Sequence, residues 1–284
     1  MKVAPVTMFF RAYNPNPSLS GFVENFWAYS FNSVRLRERI FPSGTFELVF
    51  NLRDDEIRIY KDAQSNVFQR YSGAVISGPY AGPFVTDTAL ESSVMGVHFK
   101  PGGAFPFLGV DADELRGCHT DLEVIWGRAA ISLRERLCET ASVQHRFRLL
   151  EQFLKTRLRF ERHSAVVLAL PTFGRARLQM TRELAHDARL SEKRFIEVFR
   201  REVGVNPRLL TRICRFQRVL ARTARPGALN WAEIALDHGY FDQSHLIRDF
   251  HEFSGFSPAE YLRRVKHLRN RGMHAKFNHL PLAE

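Results

Sequence analysis

The chain of 284 residues, 45% of them apolar, is long enough for about two domains with ordinary cores. It has no run of about 18 uncharged apolar residues for a membrane span, no adequate apolar stretch in MKVAPVTMFFRAYNP for a secretory signal, and only three scattered cysteines, Cys118, Cys138 and Cys214, which fit a reducing cytoplasm better than a disulfide framework or a metal site. The charge is uneven: residues 1–157 hold 18 Lys+Arg against 17 Asp+Glu, while residues 158–284 hold 23 against 13, the electrostatic footprint of a polyanion-binding half.

The first ~120 residues alternate as short strands broken by Gly and Pro. TFELVFNL (45–52) puts Phe46, Leu48, Phe50 and Leu52 on one face, and EIRIY (56–60) follows after the turn residues Arg53–Asp55 as the second arm of a hairpin. SGAVISGPYAGP (72–83) is a short apolar run. SVMGVHFK (93–100) alternates through Met95, Val97 and Phe99 and stops at Pro101-Gly102-Gly103. A sandwich or small barrel is expected, with Phe46, Leu48, Phe50, Val97, Phe99 and a rim Trp27 lining a ligand pocket or filling the core. From Leu122 the period turns helical: Leu149, Leu150, Phe153, Leu154 and Leu158 mark an amphipathic helix bridging the halves, and the stretch from Glu161 to Arg175 holds the junction.

The second half contains one motif written twice. LAHDARLSEKRFIEVFRREVGVNP (184–207) aligns with IALDHGYFDQSHLIRDFHEFSGFSP (234–258): Ala185 matches Ala235 at an offset of 50, and Phe199, Gly204 and Pro207 match Phe250, Gly255 and Pro258 at 51. One residue has been added in the turn. Each copy reads as helix, turn, helix and a Gly-x-x-Pro stop, the helix-turn-helix pattern that seats its second helix in a major groove. In the first copy Met180–Ala188 is the supporting helix, Ser191 caps the next one, Phe195 and Phe199 face inward, and Lys193, Arg194, Glu197, Arg200 and Arg201 face outward. In the second, Asn230 with Glu233 resembles a capping box, Gly239 supplies the turn, Asp242 caps, and Leu246, Phe250 and Phe253 face inward. Gln243, Ser244, His245 and Arg248 then sit where base edges are read, Gln suiting adenine and Arg guanine. Asn206-Pro207 opens a connecting helix with the stripe Leu209, Ile213, Phe216, Leu220; of its arginines, Arg212 and Arg215 are the candidate phosphate contacts. The tail after Gly272 has no period and is expected to be loose.

These residues resemble the AraC/XylS family of bacterial transcription regulators over about 175–266, the second copy almost throughout; the first has Ala188-Arg189 where that family usually has glycine. By position, the resemblance implies base reading by Lys193, Ile196 and Glu197 in the first unit and by Gln243, Ser244, His245 and Arg248 in the second. FVENFWAYSF, IFPSGTFELVFNL, GVHFKPGGAFPFLGVDADEL and DLEVIWG carry a weaker resemblance to a domain attached to some members, implying a cupin-like barrel for ligand sensing or association.

The fold expected is therefore α+β: a β-rich cupin-like domain (1–121), a helical linker (122–160), an all-α domain with two helix-turn-helix motifs (170–271) and a tail (272–284). The function expected is sequence-specific binding of promoter DNA, with RNA polymerase nearby, a small-molecule effector and a homodimer left open, and no cofactor or metal. Two rivals stay open. A non-specific architectural DNA-binding protein would show steep salt dependence without preference. A metal-dependent cupin enzyme would need a ligand cluster, whereas His98, Glu47 and Glu91 stand alone and no His-x-His occurs. Cys118 beside His119 raises a minor redox-sensor reading.

Overall fold

The computed structural model describes residues 7–32, 37–87, 93–173, 181–225, 227, 229–270 and 278–282. Glu91, Gly174, Arg175 and Met180, named above, lie outside them.

Two sheets form the first half. One runs β1 (Thr7–Tyr13), β2 (Val23–Asn32), β9 (Ser93–Phe99), β4 (Glu47–Asn51), β7 (Ala74–Ser77) and β10 (His119–Asp121) in spatial order; the other runs β11 (His279–Leu282), β3 (Arg37–Ile40), β8 (Phe84–Asp87), β5 (Glu56–Tyr60) and β6 (Phe68–Ser72). They remain two sheets and do not close into a barrel, which corrects the barrel expectation. The expected hairpin is also absent: β4 pairs with β7 and β9, whereas β5 pairs with β6 and β8. Asn51 explains the break. Its buried side chain accepts the backbone N–H groups of Arg53 and Asp54 and donates to the Glu56 carbonyl, turning the chain out of one sheet and into the other.

The alternating apolar residues of the six-stranded sheet all face one way. Phe26, Phe46, Leu48, Phe50, Met95, Val97 and Phe99 are buried with Phe107 of α1 (Phe105–Leu108), Trp126 of α2 (Leu122–Trp126), Leu133 of α3 (Arg128–Glu139) and Leu150 and Leu154 of α4 (Val143–Arg157). Of the residues expected to line a pocket or fill the core, Phe46, Leu48, Phe50, Val97 and Phe99 fill the core, whereas Trp27 is half-buried outside it, its ring over Gly96. The linker helix α4 belongs to that same core, tied by the Glu151 carboxylate accepting the Asn16 N–H; it stops at Arg157, leaving Leu158 exposed.

The second half packs as two helical units. Helices α5 (Ser164–Phe173), α6 (Thr181–Asp187) and α7 (Glu192–Val203) bury Phe173, Leu184, Phe195 and Phe199. Helices α9 (Trp231–Asp237), α10 (Gln243–Ser254) and α11 (Pro258–Asn270) bury Ile234, Leu246, Phe250 and Phe253. Between them α8 (Pro207–Thr223) gives Leu210 to the first core and Ile213, Phe216 and Leu220 to the second. A single continuous helix with residues in both cores fixes the two units to each other.

The first half also reaches into both units. Gly204, ending α7, packs so closely on Phe46, Pro79 and Ala112 that a Cβ there would lie 2.7 Å from Pro79 Cγ. Phe41 enters the second core, its ring centroid 6.0 Å from Phe216 and 5.9 Å from Tyr261. Around it, Gln217 donates to the Pro42 carbonyl (2.6 Å) and Arg39 donates to the Ser254 carbonyl at the end of α10 (3.1 Å) while lying over the Phe256 ring. The tail is not loose where it is described. As β11 it pairs with β3, Leu280 is fully buried, and Asn278 exchanges two hydrogen bonds with the Phe41 backbone. Pairing a free strand edge satisfies backbone groups that a coil would leave to water.

Candidate nucleic-acid interface

The two copies fold alike because the same local signals recur. In the first, Leu190 N–H donates to the Ala185 carbonyl (2.9 Å) across a turn in which Arg189 has φ 55°; in the second, Tyr240 donates to Ala235 (2.8 Å) across Gly239 at φ 78°. The residue by which the second turn is longer is Phe241. Ser191 then caps α7 by accepting the Arg194 N–H (3.2 Å), and Asp242 caps α10 by accepting the His245 N–H (2.7 Å). Gly204 and Gly255 stop the two helices in the left-handed region, and Asn206-Pro207 and Ser257-Pro258 start the next ones.

The amino-terminal turn of each second helix is exposed. On α7, Lys193, Arg194 and Glu197 are exposed and Ile196 is half-buried. Arg194 and Glu197 pair with each other at 3.4 Å, so Glu197 is part of a solvent-exposed ion pair in this state. Arg200 leans away to Asp113 of the first half (2.9 Å), and Arg201 is half-buried beside the fully buried Glu202 (3.5 Å). Glu202 accepts the His163 N–H on both oxygens, and burial raises its pKa above the ordinary glutamate value. On α10, Gln243, Ser244 and Arg248 are exposed, and Arg248 has no ion pair among the described residues. His245 is half-buried, its ring edge-on to Tyr240 at 5.2 Å, with Nε2 4.0 Å from Asp249.

The connecting-helix arginines have partners within the protein. Arg212 donates through Nε and Nη2 to Asp249 Oδ1 (3.1 and 2.7 Å) and also pairs with Glu252, tying α8 to α10. Those hydrogen bonds, Glu252 first, raise its pKa further. Arg215 lies over the Tyr240 ring at 5.7 Å, and its buried Nε has no hydrogen-bond partner among the described residues. Both are candidate phosphate contacts, and without DNA the acidic and aromatic groups of α10 and its turn engage them. Sequence reasoning also missed Phe241, 86% exposed, in the turn before α10. In a chain with 25 phenylalanines nothing marks that one, except that it is the extra residue in the turn.

Residues 184–264 match the family model described as a helix-turn-helix domain. The carboxyl-terminal domain is a helix-turn-helix domain of the AraC type. Residues 11–121, ahead of this AraC-type domain, match a model described only as a domain of unknown function. No curated protein matches the chain. Among solved structures, an apo variant of ToxT from Vibrio cholerae is similar at 12% identity and a TM-score of 0.42, covering 92% of this chain and 98% of that one. The C-terminal domain of AraT, a response regulator from Geobacillus stearothermophilus, is similar at 22% identity and 0.32, covering 37% and 88%. A DNA-binding transcriptional dual regulator from Escherichia coli K-12 is similar at 23% and 0.30, covering 35% and 92%.

For the rival chemistry, the described residues hold no group of three or more His, Cys, Asp or Glu able to hold a metal. Glu47 is not alone, however: it faces His98 across the β4–β9 ladder at 3.6 Å. His119 is buried and hydrogen-bonded to Ser77 (2.8 Å), whereas Cys118 is exposed. None of the described helices is long and apolar enough to cross a membrane.

Proposed function

We propose that the protein regulates transcription in the cytoplasm by seating α7 and α10 in two successive major grooves of promoter DNA. The observation that carries this reading is the pair of exposed, side-chain-capped helix amino termini joined through one helix, α8, whose residues sit in both cores. Successive grooves on one face lie about 34 Å apart, one duplex turn. In this reading Gln243, Ser244, His245 and Arg248 read bases from α10, and Lys193, Arg194, Ile196 and Glu197 do so from α7, with Glu197 leaving Arg194 to accept from a cytosine amino group. Arg201 contacts phosphate. Arg212 and Arg215 act by holding the second unit in shape. The amino-terminal domain modulates the arrangement in response to a small molecule, and a homodimer and RNA polymerase are the protein partners.

Selection from random duplex DNA at about 0.15 M salt tests it. Two enriched blocks about 10 base pairs apart support both units. One block assigns reading to a single copy. Binding without enrichment overturns it in favour of a non-specific architectural protein.

A further inference from the structure

The apolar stripe of β4 faces the helices, so the residues between, Thr45 and Glu47, face the gap between the sheets. There a cleft with about 290 Å³ of space between atoms, mouth included, is walled by Glu47, Ser77, Tyr80, Phe84, Asn278 and the segment from Ile40 to Ser43. We propose that this cleft binds a small organic cation, a primary amine carrying an apolar group, and that its occupancy reaches the second helix-turn-helix unit through the segment that holds Phe41. The inference rests on the reading of the amino-terminal domain as a modulator and gives that role a site and a ligand class.

The chemistry of the walls selects the class. Glu47 is half-buried, and among the described residues its ion-pair partner is His98, at 3.6 Å. Burial pushes its carboxyl up, but the hydrogen bond and charge of His98, the charge of His279 and a hydrogen bond from Trp27 together hold it below the ordinary glutamate value, so it is an anion. Tyr80 and Phe84, 4.8 Å apart centroid to centroid, give the cleft an aromatic wall and also pack on His119. A carboxylate beside aromatic rings is an arrangement that recognises an ammonium group. A carboxylate ligand would meet Glu47 with like charge, and a purely apolar one would cover a charge without pairing it. His119, behind Ser77, adds no compensating positive charge, because burial keeps it neutral.

The size of the cleft supplies the coupling. The cleft is narrow, with room for about one or two waters. An amine must therefore displace a wall. Glu47, Ser77 and Phe84 of its walls are strand residues within the sheets, whereas the Phe41–Pro42 segment, with Asn278 hydrogen-bonded to it, lies beyond the end of β3. The opposite side of that segment is the Phe41 ring against Phe216 and Tyr261, and the Gln217 bond to Pro42. What enters the cleft moves a piece of the second unit's core.

The test uses the full chain with phenethylamine and its anionic counterpart 3-phenylpropanoate at matched ionic strength, read by calorimetry and by affinity for the selected duplex, or for random-sequence duplex if selection enriches nothing. Saturable heat with the amine, none with the anion, and at least a tenfold weakening in Glu47→Gln are expected, together with a changed DNA affinity when the amine is present. If Glu47→Gln does not fold, Tyr80→Leu is expected to weaken the amine similarly. No saturable amine binding, equal binding of the anion, or binding indifferent to both substitutions overturns the site. Amine binding with unchanged DNA affinity overturns the coupling. Amine binding to a protein that binds no DNA leaves the site standing and overturns only the regulator reading.

Discussion

Arg189 occupies in the first copy the place that Gly239 holds in the second, and both lie in the left-handed region, at φ 55° and 78°. A side chain at that φ brings its Cβ against the following carbonyl, a strain of roughly 1–2 kcal/mol that glycine avoids. Glycine in turn raises the entropy of the unfolded chain, which offsets part of the gain. Arg189→Gly is therefore expected to stabilise the protein by about 1 kcal/mol, and Gly239→Ala to destabilise it by a similar amount. Denaturant midpoints of the two variants check this; a less stable Arg189→Gly would mean that the arginine makes a contact worth more than the strain.

Arg212→Ala is expected to act on stability. It leaves Asp249, 3% exposed, as an uncompensated buried carboxylate, a loss of about 3 kcal/mol for breaking such a pair. Thermal melting without DNA should show the loss, and the salt dependence of DNA binding by the surviving fold should match that of the parent protein. A slope reduced by about one would restore Arg212 as a phosphate contact.

Arg248→Ala is expected to leave the fold intact, since the side chain is exposed and without an ion pair among the described residues. Its effect belongs to recognition: about 1–3 kcal/mol of discrimination lost at one base pair of the selected site. Uniform weakening across all sequences would instead identify a phosphate contact.

His119 sets a pH dependence of stability. Burial pushes its pKa down to about 3 from the ordinary 6.5. Between those values the unfolded chain binds a proton that the folded one refuses, so this contribution is complete above about pH 6.5 and is lost as pH falls. The loss approaches ~1.4 kcal/mol per pH unit, or about 2 kcal/mol by pH 5. Urea titrations at several pH values should show that slope in the parent and a shallower one in His119→Gln; parallel curves would place the slope in other groups.

The helical half was legible because its signals are local. Caps at Ser191 and Asp242, stops at Gly204 and Gly255, and inward phenylalanines recur at a fixed offset and need only neighbouring residues to act. What escaped was non-local. The alternation at Phe46, Leu48 and Phe50 correctly marked a strand, but nothing in it says which strand pairs beside it, so β4 and β5 were read as a hairpin. That same alternation drew attention to the face that became core, while Glu47, on the opposite face, looked like an isolated polar residue. The sequence marks Arg212 as a candidate phosphate contact and hides its acceptors, Asp249 and Glu252, because they lie a full structural unit away in the chain. The tail lacked a period because a four-residue strand completing another domain's sheet has none to show.

The pairing of β11 with β3 constrains how the chain can be made. Glu38 and His279, hydrogen-bonded at 3.1 Å, are 241 residues apart. At 5–20 residues per second a ribosome takes roughly 10–50 s to travel between them. Throughout that interval β3 must wait with a bare edge, so the amino-terminal domain, though synthesised early, is completed only after both helix-turn-helix units have emerged.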